Sequence, residues 1–255
     1  MSERIALVMG GGAGTGRATV QAFSRAGYQV VFTDINPEGG EQTLQSLRDD
    51  GASGEFFQAN LASREDTARV IDQISDRYGA LHAVSNNAAL GTNNLPFTDI
   101  SEEDWDRCMN VTLKGVWQAM QLQLPLIEAS GGGAIVNIAS VSGLRGEAFQ
   151  SVYAAAKGAV ITLSKAAAVE YARRGVRINT VCPGGIRSGG MDNYLDSMPE
   201  MKEKVLKAHA MGRLAEPSEI ADSVIYLCSE QASFITGHDL VVDGGVLIRS
   251  NVIDL

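Results

Sequence analysis

Apolar strand-like runs alternate with amphipathic helical stretches from one end of this chain to the other, and no other feature narrows its fold so far. The patterns predict strands over 4–9, 29–33, 55–58, 82–86, 134–138, 177–181 and 239–242. Between them they predict helices over 14–27, 37–50, 64–78, 101–128, 152–174 and 217–229. Pro37 opens its helix at the first turn, Ser101 reads as an N-cap, and Pro125 is expected to bend or break the longest helix near its end. Alternation throughout requires a parallel sheet with helices on both faces. Right-handed crossovers make that sheet doubly wound. The expected fold is α/β, a single doubly wound, Rossmann-type parallel sheet. No linker or repeat divides the chain, so the reading is one domain over 1–255. Ligands of such sheets bind at the carboxyl ends of the strands.

Composition excludes several functions. The chain has 255 residues and a net charge of −9, with the acidic residues spread along it, so neither nucleic acid nor an anionic membrane is the expected partner. The first residues enter a strand and then glycines too soon for a signal peptide. No apolar run approaches the roughly 18–20 residues of a membrane span. Cys108, Cys182 and Cys228 are far apart and outside metal-ligand spacing, as are His82, His209 and His238. They imply a reducing, cytoplasmic setting and no metal.

The loop after the first strand reads Gly10-Gly11-Gly12-Ala13-Gly14-Thr15-Gly16. Glycines there let backbone N–H groups approach a pyrophosphate at a helix N-terminus. The strict G-x-G-x-x-G fingerprint does not thread through them, whereas Gly10, Gly14 and Gly16 fit a Gly-x-x-x-Gly-x-Gly spacing. Asp34 closes the second strand about 20 residues on, where a carboxylate accepts the adenine-ribose hydroxyls and repels a 2′-phosphate. Ile35 and Asn36 add no positive charge. The expected cofactor is NAD rather than NADP. Arg17 is placed on the exposed side of its helix.

Tyr153 and Lys157 lie four residues apart, one turn along one helix face. A phenol titrates near ~10, and a fixed positive charge beside it pulls that value down. The pair therefore reads as a proton-transfer device.

Together these residues make the chain resemble the short-chain dehydrogenase/reductase family over essentially its whole length. The resemblance rests on the glycine turn, Asn86-Asn87-Ala88, Asn110 in Asn-Val-Thr-Leu-Lys-Gly, Ser140 after Ile-Val-Asn-Ile-Ala, Tyr153 with Lys157, Pro183-Gly184, and Asp243-Gly244-Gly245. It implies an NAD-dependent oxidoreductase that interconverts a secondary alcohol and a ketone. Tyr153 would be its general acid/base and Ser140 the hydrogen-bond partner of the substrate oxygen, with Ser142 a rival two residues on. Lys157 would lower the Tyr153 pKa and hold the nicotinamide ribose. Asn110 would hold a water linking Lys157 to solvent. The resemblance places the cofactor against Gly10, Gly12, Gly14, Thr15, Gly16, Asp34, Ile35, Asn60, Leu61, Asn87, Ala88, Pro183, Gly184, Ile186 and Ser188. Four residues depart from the family pattern: Met9, Asn60, Ala89 and Ser188. None is the proton-transfer group.

The same resemblance puts the substrate among 90–97, 144–152 and the stretch after Ile186. The last holds Met191, Met198, Met201 and Met211, four of eight methionines, behind the hinge Gly189-Gly190. Methionine adapts its shape, so 188–212 reads as an apolar lid or as packing onto the body. Arg145 and Glu147 meet either a polar substrate group or solvent. The alanine-rich 152–174 helix and the 101–128 helix leave faces for a symmetric dimer or tetramer. Two other functions stay open, a non-redox, epimerase-like use of NAD and a cofactor-binding regulatory module. The complete Asn110, Ser140, Tyr153 and Lys157 set argues against the latter, since a binder has no use for a proton relay.

Overall fold

The computed structural model describes residues 4–91, 94–188 and 196–249. Its strands are β1 (Arg4–Met9), β2 (Tyr28–Asp34), β3 (Gly54–Gln58), β4 (Ala83–Asn86), β5 (Gly133–Ile138), β6 (Val176–Pro183) and β7 (Asp239–Val242). They form one seven-stranded sheet in the order β3-β2-β1-β4-β5-β6-β7, parallel at every pairing. The order reverses between β1 and β4, which opens a crevice at their carboxyl ends.

The helices are α1 (Gly14–Arg25), α2 (Pro37–Asp49), α3 (Arg64–Tyr78), α4 (Glu102–Met109), α5 (Gly115–Ala129), α6 (Ser151–Tyr171), α7 (Pro199–Ala208) and α8 (Pro217–Cys228). Successive strand side chains point to opposite faces, so β1 feeds two cores. Ile5, Leu7 and Met9 pack with residues of α3, α5 and α6. Ala6 and Val8 pack with residues of α1, α2 and α8. Capping fixes the boundaries. Asn36 accepts from Glu38 N and Gly39 N at the start of α2, Ser63 accepts from Asp66 N at the start of α3, and Gly79 ends α3 with φ 64°.

Three expectations change. The helix expected over 101–128 is interrupted by a π-helical turn, Asn110–Lys114. Pro125 does not break it, and α5 runs on to Ala129. Leu124 and Ile127 on either side are buried against the sheet, which offsets the lost backbone bond. The methionine-rich segment contains a helix, α7. Its hinge Gly189-Gly190 and Met191, Tyr194 and Leu195 lie outside the described residues. In addition, the 24 residues Ser151–Arg174 are long and apolar enough to cross a membrane by composition, contrary to the sequence reading. That helix is a core helix packed on β6 and α4.

Where β4 and β5 end, four fully buried polar side chains bind two strands to two helices. Asn86 and Asn137 are register partners, and Asn86 Nδ2 donates to Asn137 Oδ1 at 2.8 Å. Gln123 of α5 donates to Asn86 Oδ1 at 3.0 Å, and Asn137 donates to Ser164 Oγ of α6 at 2.8 Å. Each buried amide is thereby paired. Asn137→Leu should leave Asn86 and Ser164 short of partners at a cost of about 2–3 kcal/mol. Urea unfolding should show a lower midpoint at unchanged slope; an unchanged midpoint would mean that the cluster adds nothing.

Candidate active site

The strand ends and their loops enclose a cavity of about 530 Å³. Gly10, Thr15 and Gly16 line one end with Asp34 and Ile35, and Asn60, Leu61, Asn87 and Ala88 line the middle. Ser140, Tyr153, Lys157, Pro183, Gly184 and Ile186 close the other end. Gly12 and Gly14 shape the turn without lining it. Ser188 is exposed beside the undescribed segment.

The glycine turn is built for an anion. Gly10 has φ 82°, and a Cβ on Gly16 would fall 1.8 Å from the Gly10 carbonyl oxygen. Both positions therefore demand glycine. No side chain caps α1 and its first turn carries no acidic residue, so its free N–H groups face the cavity. Asp34 Oδ2 accepts from Gly12 N at 2.8 Å and Oδ1 from Asn36 N at 2.9 Å. Arg17 is not on the solvent side as expected. Its guanidinium donates to Gly12 O at 2.6 Å, Thr43 Oγ1 at 3.0 Å and Gln42 Oε1 at 3.0 Å, tying the turn to α2. Asn60 Oδ1 accepts from Ala62 N, which leaves one lone pair toward the cavity. Asn87 Oδ1 is buried without a hydrogen-bond partner among the described residues. An uncapped helix start, a carboxylate and an orphaned buried acceptor along one cleft fit a dinucleotide.

At the other end α6 carries Tyr153 and Lys157, and the loop after β5 carries Ser140. Lys157 is 2% exposed and donates to Ile138 O at 2.6 Å. Burial lowers its pKa to about 8. Burial also pushes Tyr153 up to about 12, against a hydrogen bond from Ser140 that lowers it, while Cys108 and Glu147 add to the rise. The Lys157 ammonium lies 5.6 Å from the Tyr153 ring centroid, turned toward Ile138 O. The sequence expectation of a phenol lowered by its lysine neighbour is therefore not met in the ligand-free chain. Desolvation is the largest cause, and Lys157 is not among the groups that shift the phenol.

Asn110 opens the π turn; it is exposed and outside the cavity lining, whereas Val111 lines it. The π turn widens the helix, and its inward polar group is Thr112, fully buried. Thr112 Oγ1 donates to Leu90 O at 2.8 Å and accepts from Leu90 N at 2.9 Å, pinning the loop after β4 to this helix.

Two further contacts escaped the sequence reading. His209 is buried, accepts from Gly185 N at 3.0 Å through Nε2 and lies 2.8 Å from Val205 O through Nδ1. It anchors the turn after Pro183-Gly184 to α7. Ser142 donates to Glu147 Oε2 at 2.5 Å. Neither contact carries a sequence signal, because each joins residues through a loop.

The comparisons agree with this geometry. Residues 10–247 match the family model described as enoyl-(acyl carrier protein) reductase. The chain is 38% identical to cyclohexanol dehydrogenase of Acinetobacter sp. (strain SE19), over 95% of this chain and 94% of that one. It is 35% identical to 2,5-dichloro-2,5-cyclohexadiene-1,4-diol dehydrogenase of Sphingobium indicum, over 96% and 97%. The crystal structure of levodione reductase superposes with a TM-score of 0.91 at 30% identity, covering 96% of this chain and 98% of that one.

A buried ammonium is a stability cost that a neutral side chain avoids. Lys157→Met should therefore raise the thermal midpoint at neutral pH, even though Ile138 O loses its donor. The folded chain releases the Lys157 proton near 8 and the unfolded chain near 10.5. Between those values the unfolded state binds more protons, so wild-type stability gains with rising pH. The advantage of the variant should shrink over that window. A gap constant with pH would show that Lys157 is not carrying its charge where the structure buries it.

Proposed function

The chain belongs to the short-chain dehydrogenase/reductase family, oxidoreductases that act on CH–OH groups, and from that premise we propose an NAD-preferring dehydrogenase of ring secondary alcohols. The observation that carries the reading is the meeting of Ser140, Tyr153 and Lys157 on the wall of the same cleft that Asp34 and the open start of α1 line. The named substrates of the relatives at 38% and 35% identity are six-membered-ring alcohols. That supports an apolar, cyclic secondary alcohol as the substrate class.

Gly10, Thr15, Gly16 and the open turn of α1 would hold the diphosphate, Asp34 the adenine ribose, and Asn87 and Lys157 the nicotinamide ribose. Pro183, Gly184, Ile186 and Ser188 would border the nicotinamide. The bound cofactor supplies the hydride acceptor and a positive charge in the cleft. Tyr153 exchanges the proton of the substrate oxygen, Ser140 fixes that oxygen in place, and Lys157 holds a proton at Nζ near neutrality. Asn110, exposed at the start of the π turn, would hold a water between Lys157 and solvent, and Thr112 steadies the loop that carries Asn87 to Leu90. Residues 188–212 would cover the substrate, with the ion-paired Lys202 and Lys207 on the outer side of α7. Trp105, Trp117 and Val169 are exposed on α4, α5 and α6, which supports a homodimer or homotetramer built on those helices. Three buried free cysteines suit a reducing, cytoplasmic setting.

The experiment is absorbance of reduced nicotinamide with cyclohexanol and related secondary alcohols. Turnover should favour NAD over NADP by at least about tenfold in kcat/KM, a like-charge cost of the order expected for a phosphate against Asp34. Asp34→Asn keeps an acceptor for Gly12 N and removes the charge, so NADP should gain while the turn stays intact. Equal use of both cofactors by the wild type would overturn the preference. Tyr153→Phe should lose a factor of roughly 10²–10⁴ in kcat with cofactor affinity kept; near-normal turnover would remove Tyr153 from the mechanism.

A further inference from the structure

We propose that His209 is a positioning residue: by accepting from Gly185 N it selects one of two orientations of the Gly184–Gly185 peptide, the one that presents the Gly184 carbonyl to the nicotinamide. The proposal rests on the reading of Gly184 as a border of the nicotinamide.

The Gly184–Gly185 peptide is free to turn over. A Cβ on Gly184 would fall 2.9 Å from Asp243 Cα, and one on Gly185 would fall 2.7 Å from Leu214 Cδ2, so neither position accepts a side chain. Consecutive glycines tolerate either sign of φ, and the rigid peptide plane between them can rotate about its two flanking bonds while its neighbours stay in place. Those neighbours are pinned. Gly184 N donates to Val242 O at 3.1 Å, and Gly185 O accepts from Ala215 N at 2.9 Å. The plane between them has one partner among the described residues, His209 Nε2 at 3.0 Å from Gly185 N. Gly184 O has none among those residues.

His209 supplies that partner from a fixed position. Its ring is buried at the C-terminal end of α7. Its backbone oxygen accepts from Gly212 N at 2.9 Å and from the Arg249 guanidinium at 3.3 Å. Nε2 faces an N–H and therefore carries no proton, so the proton belongs on Nδ1, which donates to Val205 O at 2.8 Å. A trans peptide holds its N–H and C=O in opposite directions. Gly185 N–H is aimed at His209, which is not part of the cavity wall. The carbonyl of Gly184, which is part of that wall, is turned the other way.

Each peptide carries a dipole of about 3.5 D. Its carbonyl end toward the cleft favours the cationic ring of oxidised nicotinamide over the neutral ring of the reduced form. Its N–H end would reverse that preference. The diphosphate, the riboses and the carboxamide are common to both forms and cancel in the comparison. The ratio of the two affinities therefore reads the orientation of this single peptide.

The test has two arms. The first uses the ligand-free wild type with ¹⁵N-labelled histidine, in mild alkali where free imidazole is neutral, the resonances being assigned with His209→Gln. The His209 proton should sit on Nδ1. His82 is the internal contrast, since its Nδ1 accepts from Ile5 N at 3.0 Å and its proton belongs on Nε2. A His209 proton on Nε2 overturns the proposal. In the second arm calorimetry gives the affinities for NAD, NADH and ADP-ribose. His209→Leu removes the acceptor and lets the peptide turn over, so NAD should weaken about tenfold relative to NADH, on the scale of one polar contact reversed. ADP-ribose, which lacks the nicotinamide, should bind as it does to the wild type. His209→Gln brings Oε1 close to the place of Nε2 and should keep the wild-type ratio. An equal loss of NAD and NADH in His209→Leu, an unchanged ratio, or a ratio lost as fully in His209→Gln each overturns the proposal. Should His209→Leu fail to fold, the tautomer and His209→Gln still decide it. A wild type that bound none of the three ligands would end the cofactor reading itself, whereas one that bound all three, with the ratio unmoved in His209→Leu, would end this proposal alone.

Discussion

The buried amide cluster at the ends of β4 and β5 is the constraint from which the rest of the site follows. Asn86 and Asn137 pair across the two strands, while Gln123 and Ser164 fasten them to α5 and α6. In a low-dielectric interior such bonds are strong and their loss is costly, so the register of the two strands is narrowly held. The residues proposed for the site lie along the same strands and helix. Asn87 follows Asn86, Ile138 and Ser140 follow Asn137, and Tyr153 and Lys157 precede Ser164 on α6. The cluster thus sets the distance between the wall that faces the cofactor and the helix that carries the proton.

The site also stores an unfavourable term. Burial lowers Lys157 to about 8 and raises Tyr153 to about 12, each shift disfavouring the charged form. A protein selected for stability alone would place neither group there. On the proposed reading the two groups have a use there, since a lysine that titrates near 8 would exchange its proton readily and a phenol kept neutral would be a donor at working pH. The single carbonyl contact of Lys157, to Ile138 O, leaves its remaining protons for a ligand.

Much of this was legible in the sequence, and what was not has identifiable causes. The strands were found because alternation of apolar runs survives burial, and α3 and β7 match their expected limits because a cap or glycine punctuates them. Thr112 was missed because sequence spacing assumes 3.6 residues per turn, and the π turn Asn110–Lys114 breaks that period and brings Thr112 inward. Pro125 misled because its local cost was weighed without the burial of Leu124 and Ile127 around it. The Tyr153–Lys157 spacing showed that the two share a helix face. It did not show that burial would dominate both groups. Arg17 was placed in solvent by helix periodicity alone, whereas its partners Thr43 and Gln42 come from a different helix. Ser142–Glu147 and His209–Gly185 close through loops, where no periodicity exists to read.

The two ends of the cleft differ in how they are held, and the difference bears on what each can vary. At the adenine end the selective group is also structural, since the Asp34 carboxylate that would reject a 2′-phosphate accepts from Gly12 N. Arg17 closes the same ring by donating to Gly12 O. Cofactor choice there is bound to the shape of the turn, so losing the carboxylate outright disturbs both. At the substrate end the determinants are side chains on the surface of an already fixed frame. Glu147 is exposed and its loop contributes little to the cores, so changing it leaves the sheet untouched. The side chains of the substrate end can therefore change without the fold, while a substitution at Asp34 must keep an acceptor for Gly12 N.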